Sequence, residues 1–188
     1  MKKIYALLIL ISITASTNAQ ITEGNWLVGG NLSFINSNSK TTFNNQVQKT
    51  GGSKFDMQTN LGYFLVDKFV LGLTPSFNYT FFKNDPNTYS FLIGPFVRYY
   101  FLKSDNLINF FSHVEYQYGN YYSEGNKLAY NSNFSVKAGP SVFFNNSVAI
   151  EFTVEYQQLN FRTKSNPQTT IQDSNLIFSI GFQIHLIK

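Results

Sequence analysis

The chain contains no cysteine. A disulfide framework and a thiolate metal site are therefore excluded. Charge is scarce. Asp, Glu, Lys and Arg make up 13% of the 188 residues, half the share of about 25% usual in globular domains. There is no Lys/Arg run and no recognition-helix pattern, so no nucleic-acid partner is expected. Long apolar runs are missing as well. The longest, Ile4 to Ile13, falls well short of the ~20 residues that a spanning helix needs. Aromatics, by contrast, reach 18%, with 20 Phe and 12 Tyr against one Trp. Mean hydropathy is nonetheless slightly negative. Strands that average an apolar and a polar face reconcile these facts.

The first segment reads as an address. Met1-Lys2-Lys3 is basic, Ile4 to Ile13 is apolar, and Thr14 to Ala19 is small and polar. Thr17 and Ala19 take the −3 and −1 positions of a cleavage site, so residues 1–19 are expected to be a cleavable signal peptide. The mature chain, residues 20–188, is expected to form one domain. Without Lys2 and Lys3 its twelve basic residues nearly balance its ten acidic ones.

The mature chain alternates with a period of two. Leu176, Phe178, Ile180, Phe182, Ile184 and Leu186 are apolar, and Ser179, Gly181, Gln183 and His185 lie between them. The same rhythm predicts strands over about 25–36, 54–66, 69–82, 89–102, 107–121, 128–144, 148–161 and 176–187. Each such ribbon has one greasy face and one wet face. In the seventh the phase changes at Leu159 and Phe161, which predicts a bulge or a membrane rim there. The connections also alternate: short at 66–68, 103–106 and 145–147, longer and polar at 37–53, 83–88, 122–127 and 162–173.

The wet face carries small residues (Gly72, Gly94, Gly139, Gly181) and few charges. That suits the narrow interior of an eight-stranded barrel better than a hydrated surface. Trp26, Tyr63, Tyr79, Tyr89, Tyr99, Tyr116, Tyr118 and Tyr156 near strand ends resemble interfacial girdles. The expected fold is therefore all-β: an eight-stranded antiparallel up-and-down transmembrane β-barrel. Closure requires the first and last strands to pair, over 25–36 and 176–187. Pro75, Pro95 and Pro140 on the apolar face each remove a ladder bond, and local bulges are expected to absorb them.

The leader, the opening GNWLVGGNLSF, the hairpin NLGYFLVDKFVLGLTPSFNY and the final strand LIFSIGFQIHLIK together carry a resemblance. Over its mature length the chain resembles the outer membrane protein β-barrel domain family, the small OmpA-, OmpX- and OmpW-like barrels of Gram-negative bacteria. The resemblance implies an outer-membrane location, contact with outer-membrane lipid and lipopolysaccharide, insertion by the barrel-assembly machinery, and a monomer. That family commonly ends in an aromatic residue. This chain ends Ile187-Lys188, with Phe182 the nearest aromatic.

Arg98, Glu115, Lys137, Glu151 and Glu155 share the wet face. Charges in a narrow lumen need partners, so a salt-bridged structural plug is expected. Arg98 and Glu115 are on neighbouring strands, as are Lys137 and Glu151 or Glu155. No catalytic, cofactor or metal site is predicted. His113 and Glu115 share a face without a serine motif to complete them, and the two histidines lack a third ligand spaced with them. The expected role is structural or interaction-based, through the loops. The alternative is a narrow porin-like channel for small solutes.

Overall fold

The computed structural model describes residues 21–43, 46–83, 85–165, 168 and 170–186, with backbone alone for 38–43 and 46–50. The predicted leader lies outside them, as do Ile187 and Lys188. Eight strands run in chain order: β1 (Trp26–Phe43), β2 (Gln46–Val66), β3 (Phe69–Phe82), β4 (Thr88–Tyr100), β5 (Ile108–Ser123), β6 (Asn126–Phe143), β7 (Val148–Thr163) and β8 (Thr170–Leu186). Each pairs antiparallel with the next, and β8 returns to β1 to close the barrel. This is the eight-stranded architecture that the alternation predicts.

The faces sort as the period of two requires. Leu71, Leu73, Phe91, Phe110, Phe152 and Phe178 are exposed on the outside, whereas Arg98, His113, Glu115, Gln117 and Gln183 are buried inside. Outward aromatics gather into two belts. At the end where the chain enters, Trp26 meets Tyr63 edge-on with ring centroids 5.2 Å apart. At the opposite, hairpin end, Tyr79, Tyr89 and Tyr122 stack across three strands at 6.3 and 4.9 Å.

The predicted contrast of short turns and long loops is corrected. Much of 37–53 and all of 126–127 are strand: β1 and β2 stay paired out to Phe43↔Gln46, and β5 and β6 turn through Glu124 and Gly125. Both turn residues are left-handed, at φ 49 and 79, the backbone a two-residue hairpin demands. Polar strands beyond the rim keep their ladder because Thr41, Thr42 and Val47 favour extended backbone.

The prolines do not produce bulges. Beside Pro95, pairing of β4 with β5 stops at Ile93↔Tyr118 and resumes in the same register at Phe96↔Glu115. Beside Pro140, β6 and β7 skip from Ala138↔Val154 to Ser141↔Glu151. Beside Pro75, β2 and β3 skip from Gln58↔Ser76 to Leu61↔Leu73. Each proline thus opens a two-residue gap without slippage. Glycine precedes two of them because the facing carbonyl leans in: a Cβ at Gly94 would collide with the Tyr116 carbonyl, and one at Gly139 with that of Phe152. Beside Pro75 the barrel interior adds a contact of its own, as Gln117 Nε2 donates to the Thr74 carbonyl at 2.8 Å.

Two further expectations resolve. β7 runs through Leu159 and Phe161 in unbroken register with β6 and β8, so the phase change is no bulge. Leu159 borders an internal cavity, and Phe161 packs edge-on against Tyr121 at 5.8 Å. The β1–β8 seam is shorter than predicted. It pairs only from Trp26↔Leu186 to Gly30↔Phe182.

Candidate functional site

The lumen is filled in three layers. At the entry end, Ile21, Leu27, Phe64, Val70, Tyr100, Phe111, Phe143 and Ala149 form a fully buried apolar floor. Residues 21–25 tuck beneath it. The Ile21 carbonyl accepts from Lys68 N at 3.0 Å, and Gly24 N donates to the Phe64 carbonyl at 3.0 Å. These residues cork the barrel mouth.

Above the floor lie the charges. Arg98, Glu115, Lys137, Glu151 and Glu155, all expected to form a plug, are all buried. Their pairing differs from the cross-strand expectation. Arg98 does not bond Glu115. It crosses the lumen from β4 to β7, where Nη1 meets Glu151 Oε1 at 2.7 Å. The neighbour opposite Arg98 on β5 is His113, and Arg98 Nε donates to His113 Nδ1 at 3.2 Å. Glu115 instead gathers four donors: His113 Nε2 at 3.0 Å, Lys137 Nζ at 3.1 Å, Gln58 Nε2 at 2.7 Å and Ser135 Oγ at 2.9 Å. Lys137 also approaches Glu155 at 3.7 Å, and Gln183 Nε2 supports Glu151 at 3.1 Å. A connected chain of polar contacts therefore runs from Lys137 through Glu115, His113 and Arg98 to Glu151. Along that chain each buried charge meets a partner, as burial demands, while Glu155 Oε1 and Gln183 Oε1 at its margins are buried without a hydrogen bond.

The layers are also stacked on one another. The Arg98 guanidinium carbon lies 4.4 Å from the Phe111 ring centroid, a cation–π contact. Phe96 stacks on His113 at 4.6 Å, and Phe143 on His185 at 5.2 Å. The floor thus fixes the height and orientation of the ionic layer.

The third layer is amide and hydroxyl. Asn133 Nδ2 donates to Gln117 Oε1 at 2.9 Å, and Gln117 reaches Ser76 at 3.3 Å. Toward the hairpin end this layer opens into a cavity of about 440 Å³, bordered by Asn31, Asp56, Gln58, Asn133, Glu155 and Asn175 among others.

Chemically the site binds charge to charge. Both ring nitrogens of His113 are engaged, and Ser135 faces Glu115 rather than the imidazole. Among the described residues no cluster of three or more His, Asp or Glu has metal-holding geometry. Sequence reasoning missed the aromatic floor and Tyr100, whose hydroxyl lies 3.2 Å from Arg98 Nη1. The signal was parity. Phe64, Phe96, Phe111 and Phe143 share the phase of Asn60, Arg98, His113 and Ser141 on their own strands.

No family model and no curated protein matches the chain. Solved structures do resemble it. The outer membrane protein OprG from Pseudomonas aeruginosa aligns with a TM-score of 0.55 at 14% identity, over 90% of this chain and 99% of that one. Neisserial surface protein A (NspA) aligns with a TM-score of 0.54 at 12% identity, over 86% of this chain and 97% of that one. Likeness at these identities is likeness of fold: the chain shares the small β-barrel architecture of these outer-membrane and surface proteins.

Proposed function

We propose that this chain is an integral outer-membrane β-barrel protein of structural or interaction type, with a lumen plugged by its own side chains. The observation that carries this reading is the pairing of two opposites. The outer wall carries an apolar band between aromatic belts, and the interior holds the buried ion pairs above a corked apolar floor. A soluble barrel buries the apolar face and hydrates the polar one. Here the order is reversed, as hydrocarbon outside requires. The signal peptide delivers the chain across the inner membrane, and the assembly machinery inserts it as a monomer. Lipid and lipopolysaccharide surround its wall, and the hairpin end of the barrel makes its surface contacts. It has no catalytic role in this reading.

Fractionation of the native cell envelope tests the location; recovery of the protein with inner-membrane or soluble fractions would overturn it. Planar-bilayer recording tests the plug. The floor and ionic layer predict no single-channel steps. Resolved steps would carry the alternative, a narrow porin-like channel for small solutes.

A further inference from the structure

We propose that the seam between β1 and β8 is a zipper with two states, in which the short pairing from Trp26 to Gly30 extends by seven residues in the same register. The proposal rests on the membrane-barrel reading for its function, but not for its test.

Below Gly30↔Phe182 the two strands are paired; above it they part. Each keeps its other neighbour throughout: β1 stays on β2 to Phe43, and β8 stays on β7 to Thr170. Two edges therefore face each other with no ladder between them, so the backbone groups of 31–35 and 177–181 lack cross-seam partners. Hydrocarbon cannot satisfy such groups. The cavity above the plug can hydrate them, because its border includes Asn31 and Ser33 from one edge and Asn175 and Ile177 from the other. A second crevice, of about 330 Å³, lies at the point of divergence, bordered by Gly30, Asn31, Ile180 and Gly181.

The edges match one another. Continuing the observed register opposes Asn31 to Gly181, Leu32 to Ile180, Ser33 to Ser179, Phe34 to Phe178, Ile35 to Ile177, Asn36 to Leu176 and Ser37 to Asn175. Outward pairs are then chiefly apolar and inward pairs chiefly small, polar or matched in shape, as cross-strand packing favours. The unzipped state leaves the apolar members unusually bare. Leu32 and Phe34 are each 65% exposed and Phe178 is 73% exposed, against 44% for Leu71 and 49% for Phe110 on fully paired strands. The hinge is glycine on both sides. Gly30 has φ 149, and a Cβ at Gly181 would stand 3.0 Å from the Gly30 carbonyl oxygen. Zipping seals the cavity from the surrounding lipid, and unzipping joins them.

The natural chain has no cysteine, so engineered pairs report without background. The experiment oxidises three double variants folded in liposomes, with heat-dependent gel mobility confirming the barrel in each. Val28→Cys/Ile184→Cys lies in the paired segment and sets the reference rate. Ser33→Cys/Ser179→Cys tests the extended register. Ser33→Cys/Asn175→Cys is four residues out, ~13 Å along the strand. We expect the second pair to cross-link to completion about tenfold more slowly than the first, as for a zipped state that is a minor population, and the third not at all. No cross-link in the second pair means a fixed gap and overturns the proposal. A rate equal to the reference means permanent closure and overturns it equally. Cross-linking of both the second and third pairs means edges without register, which also overturns it. Envelope fractionation decides the membrane reading separately.

Discussion

The entry half and the hairpin half of this barrel have the same eight strands around them and differ in almost everything inside. In the entry half, opposite walls touch through Leu27, Phe64, Tyr100, Phe111 and Phe143, and above them Arg98 pairs with Glu151 and Lys137 with Glu115. In the hairpin half the inward residues are mainly Asn, Ser and Gln, with Leu92 and Leu159 among them, and a cavity remains. The β1–β8 seam is paired in the first half and parted in the second. Strand number sets the circumference, but side chains that meet across the lumen accompany the stretch where the wall is sealed.

Substitutions can break this contrast. The largest effect is expected from Arg98→Ala. Glu151 would be left buried and unpaired, at a cost of about 3–5 kcal/mol, read as a lowered urea midpoint for unfolding from lipid vesicles. Replacing Glu151 as well, in Arg98→Met/Glu151→Met, should recover most of that loss; failure to recover would locate the effect in packing. Phe111→Ala removes floor volume beneath the guanidinium and should cost about 3 kcal/mol by the same measurement. Gly94→Ala forces a methyl against the Tyr116 carbonyl and should cost roughly 1–3 kcal/mol. A neutral result there would show that the proline gap is pliable. The smallest effect belongs to the hairpin half. Lys54 Nζ and Asp56 Oδ1 are 3.1 Å apart, but the lysine side chain is half exposed. Asp56→Asn should therefore shift the midpoint by about 0–1 kcal/mol. If it rivalled Arg98→Ala, the two halves would be energetically alike and the contrast would fall.

Much of the fold is legible in the sequence. Alternation from Leu176 to Leu186 sorts that part of the last strand between its two faces, whereas Thr170 to Asn175 fall outside the strand that the alternation predicts. The five charges of the plug are identifiable because each lies out of phase with the outward apolar residues of its own strand, as Arg98 does with Phe91 and Val97 and Glu151 with Phe152 and Val154. Their partners are not. Arg98 and Glu151 stand 53 positions apart and on strands that are not neighbours; only the curvature of the closed sheet brings them within 2.7 Å. The floor stays hidden because apolar residues on both faces of a strand end blur a period of two. The strand ends escape for a related reason: polar residues continue a ladder as readily as they form a loop when a partner strand lies beside them.

What the sequence determined by itself is which side of each ribbon is apolar, how many ribbons there are, and that they must close. Those properties come from a local period and from the cost of leaving the backbone groups of an edge strand unpaired. The tertiary structure alone decided which charges meet, where the lumen is corked and how far the first and last strands stay together. Such matters depend on distances across the barrel, and no spacing along a chain encodes a distance through its interior.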